Sequence, residues 1–191
     1  RISQRARVDQ AIEWLELPVT QRPDLVTLYF DSVDSAGHRY GPMAPETLSA
    51  IAEVDQQIGS LWRAIESINA RSNAGINLML VSDHGMAEVD PAVFIDTNTL
   101  PRPKGFKRVN GSTRVTYYQR DPSANIEALA EALEADSGGR YWLLSEEVLS
   151  NRHFKDHPAV GDLIIETAPP SVFRWRGGKD ADLFGMHGYP A

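Results

Sequence analysis

The sequence predicts an α/β fold built on a mostly parallel central sheet. Three observations lead there. The runs LVTLYF (25–30) and INLMLVS (76–82) are short, apolar and rich in β-branched or branched residues, which suits buried strands. Between them, PETLSAIAEVDQQIGSLWRAIESI (45–68) carries Leu48, Ile51, Ala52, Ile58, Leu61, Trp62 and Ile65 at helical spacing. Strand, long helix and strand within about sixty residues make a βαβ unit, so the two strands are expected to run parallel.

The remaining elements follow in chain order. Residues 7–16 place Val8, Ala11, Ile12 and Leu15 on one helical face, and RPD (22–24) then breaks the pattern. Pro45 suits the first turn of the long helix, and SNAG (72–75) ends it. Residues 91–112, rich in Pro, Gly, Asn and Thr, read as loop. TRVTYYQ (113–119) alternates like a strand. SANIEALAEALEA (123–135) reads as a helix with Ser123 as its N-cap. RYWLL (140–144) and DLIIETA (162–168) read as further strands, and RWRGGKDADLFGMHGYPA (174–191) as a glycine-rich loop. There is no internal repeat and no low-complexity linker. The 191 residues are expected to form a single domain.

Composition narrows the function classes. A net charge of −7 with no basic cluster argues against binding a nucleic-acid duplex. No apolar run approaches the roughly 18 residues that a membrane-spanning helix needs. With no cysteine, any metal must be held by His, Asp and Glu.

Both predicted strands run into acid and histidine: the first into Asp31, Asp34 and His38, the second into Ser82, Asp83 and His84. Parallel strands bring their carboxyl ends to one sheet edge, where ligands bind in open α/β folds. A third histidine, His187, lies in GMHGYP. Each of the three touches a glycine (Gly37, Gly85, Gly188), which gives a loop the freedom to aim an imidazole. Alone, Asp34 and His38 read as a turn-capping acid and a surface histidine, and Asp83-His84 as a strand-end turn. Two such sets at parallel strand ends point to metal. Asp31 reads as capping the strand end or steadying a ligand by a hydrogen bond. His153 and His157 sit four apart, but Pro158 disfavours a helix there and they read as surface histidines. Residues 116–118 read as strand core, and the acids of 127–134 as a solvated helix face. The glycine pairs at 138–139 and 177–178 have no phosphate-loop context.

LYFDSVDSAGHRYGP, VSDHGMAEV and GMHGYP, in that order, resemble the nucleotide pyrophosphatase/phosphodiesterase family of the alkaline phosphatase superfamily. DQAIEWLELPVTQRPDLVTLYF is similar to that family's approach to its metal strand. The likeness covers most of 7–90 and about 160–191. It implies an alkaline-phosphatase-like fold with helices on both faces of the sheet, incomplete over these residues. It implies two zinc ions, one held by Asp34, His38 and His187 and the other by Asp83 and His84. The family completes the second site with an aspartate and a nucleophilic threonine from an earlier strand and helix, expected upstream of Arg1. Ser35 and Ser82 fit better as loop and strand-end residues. The implied chemistry is hydrolysis of phosphodiester or pyrophosphate bonds in nucleotide-type substrates. It runs through a covalent phosphoryl-enzyme, with no general acid needed for a good leaving group. The chain, opening on RISQRARVDQ and closing on MHGYPA, reads as part of a longer catalytic domain and is expected to be inactive alone. A companion polypeptide carrying the upstream strand is one expected partner, and an exported, periplasmic or extracellular location is implied. The alternatives are a phosphomonoesterase or phosphonoacetate-type hydrolase of the same superfamily, or a non-catalytic fragment that only binds metal.

Overall fold

Ser3 begins the first ordered element. Its hydroxyl accepts a hydrogen bond from the Ala6 amide and caps α1 (Gln4–Glu16), which buries Val8, Ala11 and Leu15. In this computed structural model the described residues are 2–155, 157, 159–175 and 183–190. They form two compact units, Arg1–Asp83 and His84–Ala191.

The first unit is organised by helices. α2 (Ser32–Tyr40) is followed by α3 (Pro45–Ser72), which starts with proline in its first turn and stops where Asn73 turns left-handed (φ 49°). The face predicted for α1 meets the later part of α3, where Val8 and Leu15 pack with Leu61, Ile65 and Ile68; Leu48, Ile51, Ala52 and Trp62, expected on the same stripe, are instead exposed. Val26, Leu28, Phe30, Ile76 and Leu78 pack onto this cluster. The intervening residues of 25–30 face solvent, Leu25 at 80 % exposure, and Met79 is 86 % exposed. Alternating burial is what an extended chain produces. No ladder, however, covers 25–31 or 76–82 among the described residues. The expected parallel pair is therefore corrected to two runs whose inner faces pack on helices.

The second unit is mostly antiparallel. β1 (Ala87–Glu88), β2 (Phe94–Asp96), β3 (Phe106–Asn110) and β4 (Arg114–Gln119) precede α4 (Ile126–Ser137), and β5 (Trp142–Leu143) precedes α5 (Glu146–Asn151). β6 (Leu163–Glu166), β7 (Val172–Arg174) and β8 (Gly185–Met186) follow. β3-β4-β6-β5 form one antiparallel sheet, β1 pairs with β8 antiparallel, and only β2 with β7 runs parallel among the described ladders. A mostly parallel central sheet is thus not what the described residues display. The core joins Val115, Tyr117 and Ile165 of the sheet to Leu129 and Leu133 of α4.

β3 lies in the stretch predicted to be loop. It is an edge strand carrying Lys107, Arg108 and Asn110, so it shows no apolar alternation. α4 starts later than expected: the Asn125 side chain accepts from the Ala128 amide, while Ser123 donates to Asp121. Residues 116–118 are strand as predicted, with Tyr117 fully buried, and Glu127, Glu131 and Glu134 are exposed. His153 and His157 follow α5 in turns rather than on a helix, and both are exposed. Pro158 and the pair at 177–178 lie outside the described residues, as does much of the predicted terminal loop.

Candidate metal centre

The DSVDSAGH stretch is helical, which gives its spacing a geometric meaning. Residues four apart share a helix face, and His38 Nε2 lies 3.3 Å from Asp34 Oδ1 on α2. α2 was not predicted as a helix. It has no apolar stripe and contains Gly37, yet Asp34 in its first turn and Arg39 in its last match the helix dipole. Both ends are clamped. Arg7 on α1 donates to the Tyr29 carbonyl (2.6 Å) and pairs with Asp31 (3.3 Å), and Gln4 bonds Ser32. At the other end the Thr47 hydroxyl, 3 % exposed, donates to the Gly41 carbonyl at 2.7 Å. Gly41 has φ 99°, and its amide bonds the Gly37 carbonyl. Asp31 occupies the N-cap position of α2 without a side-chain capping bond.

Asp83 closes the first unit and is exposed, as is Ser82. In the second unit His84 Nδ1 lies 3.0 Å from the Gly85 carbonyl. A carbonyl only accepts, so in the neutral ring Nδ1 carries the proton and the lone pair sits on Nε2. The His84 and His187 rings stack at 3.6 Å and 16°. A ring nitrogen of each lies within 4.8 Å of one from the other.

These donors fit zinc. The first unit offers Asp34, His38 and Asp83 and the second His84 and His187, carboxylates and imidazoles with no thiolate. Two ligands about 2.0–2.1 Å from a tetrahedral ion stand about 3.3 Å apart, and Asp34 and His38 stand at 3.3 Å. The residues that hold α2, Arg7 and Thr47, left no signal in the sequence pattern, because their partners lie on other elements.

A family model for type I phosphodiesterase / nucleotide pyrophosphatase matches residues 1–190. The chain belongs to that family. Among curated members, the ectonucleotide pyrophosphatase/phosphodiesterase C27A7.3 of Caenorhabditis elegans is 30% identical over 186 residues, 97% of this chain and 23% of its own. Venom phosphodiesterase 2 of Crotalus adamanteus is 39% identical over 84 residues, 44% of this chain and 10% of its own. The chain thus spans no more than about a quarter of these relatives. Murine ectonucleotide pyrophosphatase/phosphodiesterase 5 shares the fold, with a TM-score of 0.80 at 23% identity over 99% of this chain and 49% of that one.

Proposed function

We propose that the protein containing this chain is a zinc-dependent hydrolase of phosphodiester or pyrophosphate bonds in nucleotide-type substrates. Asp34, His38 and His187 hold one ion and Asp83 and His84 the other, with all 191 residues read as part of one catalytic domain. The observation that carries the reading is the Asp34–His38 pair, a carboxylate and an imidazole at the spacing of two ligands on one ion. The stacked His84 and His187 rings support dividing them between two ions. Their ring centroids lie 3.6 Å apart, close to the roughly 3.5–4 Å between the ions of two-metal sites.

When bound, the zinc pair polarises the phosphoryl group and stabilises both attacking and leaving oxygens. The chain's part is to hold and tune. Asp34 and Asp83 offset two of the four positive charges, leaving a site that attracts an anionic diester within an acidic chain. His84 presents Nε2 because Gly85 fixes its tautomer. The nucleophilic hydroxyl comes from outside these residues, and its phosphoryl ester is then hydrolysed. Relatives named as ectonucleotide enzymes support an extracellular or periplasmic location. No helix among the described residues is long and apolar enough to cross a membrane.

In the full-length protein, His38→Ala should weaken zinc binding at its site by at least about 10-fold. Elemental analysis should then find one ion fewer, with turnover of a nitrophenyl nucleotide ester lost. Unchanged zinc stoichiometry defeats the assignment. A wild-type protein that prefers plain nitrophenyl phosphate over the nucleotide ester is a monoesterase instead.

A further inference from the structure

His187 sits between residues that are each tied down. Before it, Met186 is buried and pairs with Ala87 across the β1–β8 ladder. After it, Gly188 turns with φ 85° and its carbonyl accepts from the Thr113 hydroxyl at 2.9 Å. Tyr189 then donates its own hydroxyl to the Ser171 carbonyl at 2.8 Å.

Thr113 is well placed to act as an anchor. It is nearly buried, immediately before β4, and its carbonyl accepts from the Thr167 amide (3.1 Å) at the end of β6. The adjoining Ser112 carbonyl accepts from Phe173 in β7 (2.7 Å). The Thr113 hydroxyl therefore moves with the antiparallel sheet. It bridges the 75 positions that separate this hairpin from the histidine loop. The fit is close: a Cβ added at Gly188 would meet Thr113 Oγ1 at 3.2 Å.

We propose that Thr113 is a positioning residue for His187: by holding the Gly188 carbonyl to the sheet it fixes where the imidazole stands. The metal consequence rests on His187 being a zinc ligand, as proposed above; the positioning itself does not. A hydrogen bond that orients a ligand typically changes metal affinity 10–100-fold when lost.

The test compares Thr113→Val, which removes only the hydroxyl at nearly constant shape, with Thr113→Ser, which keeps it. Two readouts are needed on the full-length protein. In metal-free protein, the His187 ring Cε1–H resonance, assigned by its disappearance in His187→Ala, should shift or broaden in Thr113→Val and return in Thr113→Ser. In chelator competition, Thr113→Val should bind zinc 10–100-fold more weakly, with Thr113→Ser near wild type. A His187 resonance unmoved in Thr113→Val overturns the positioning role whatever zinc does. If the resonance moves but His187→Ala leaves zinc affinity intact, positioning stands and the ligand assignment fails. A thermal melt of each variant separates global unfolding from local release, and equal effects of Val and Ser overturn the proposal as well.

Discussion

Tyr189 shows how a single side chain near the candidate site responds to pH. Burial pushes its phenol up to about 12 from an ordinary 10.0, so folding favours the protonated form. The sign follows: this contribution is fully present below pH 10 and is lost as pH rises towards 12. Tyr117 and Tyr141 are also pushed up, mainly by burial, and add to the decline. Denaturation midpoints should therefore fall between pH 10 and 12, and less so in Tyr189→Phe. A midpoint flat across that window contradicts this account. At this scale the sequence exposed some residues and hid others. Asp34 and His38 were legible because their partnership is four positions long. Thr113 and Arg7 were not, because their partners lie 75 and 22 positions away and leave no local pattern.

Elements differ in legibility for the same reason. α1 and the later part of α3 carry apolar faces in periodic form, and those faces meet, whereas Leu48, Ile51 and Trp62 fit the same period but are exposed. α2 has no such face and is held by its ends. β3 is a charged edge. The runs at 25–30 and 76–82 have strand composition, but a ladder needs a partner backbone as well as a side-chain pattern. Two substitutions separate core from cap. Ile65→Ala, in the α1–α3 seam, should cost about 2–5 kcal/mol, whereas Asn125→Ala, at the start of α4, should cost about 1 kcal/mol. Urea denaturation of each variant measures both, and a cap variant that loses as much as the core variant would contradict this ranking.

For the whole molecule, metal and stability are linked. Ions that bind only the folded protein stabilise it by about 2.7 kcal/mol at a hundredfold excess over Kd. Stripping zinc should lower the melting temperature by roughly 5–10 °C for a protein of this size or somewhat larger, and calorimetry with and without chelator reads it. Identical melts at zinc excess would contradict metal binding by the native state. At this scale the family was the most legible property, carried by three motifs, while the sheet was the least, since most described ladders join segments far apart in the chain.

The junction at Asp31 makes the run before it behave like a reading frame. Val26, Leu28 and Phe30 point inward at every second residue, and α2 begins directly afterwards. Losing one residue between 26 and 30 would flip that alternation. It would also shift the start of α2 against Arg7, swinging Asp34 and His38 round together by about 100° per residue. A loop insertion at 18–22, ahead of the frame, leaves the phase untouched. The distance from Val26 to His38 is thus a counted quantity, and a one-residue deletion inside it should cost metal binding where an insertion at 18–22 does not.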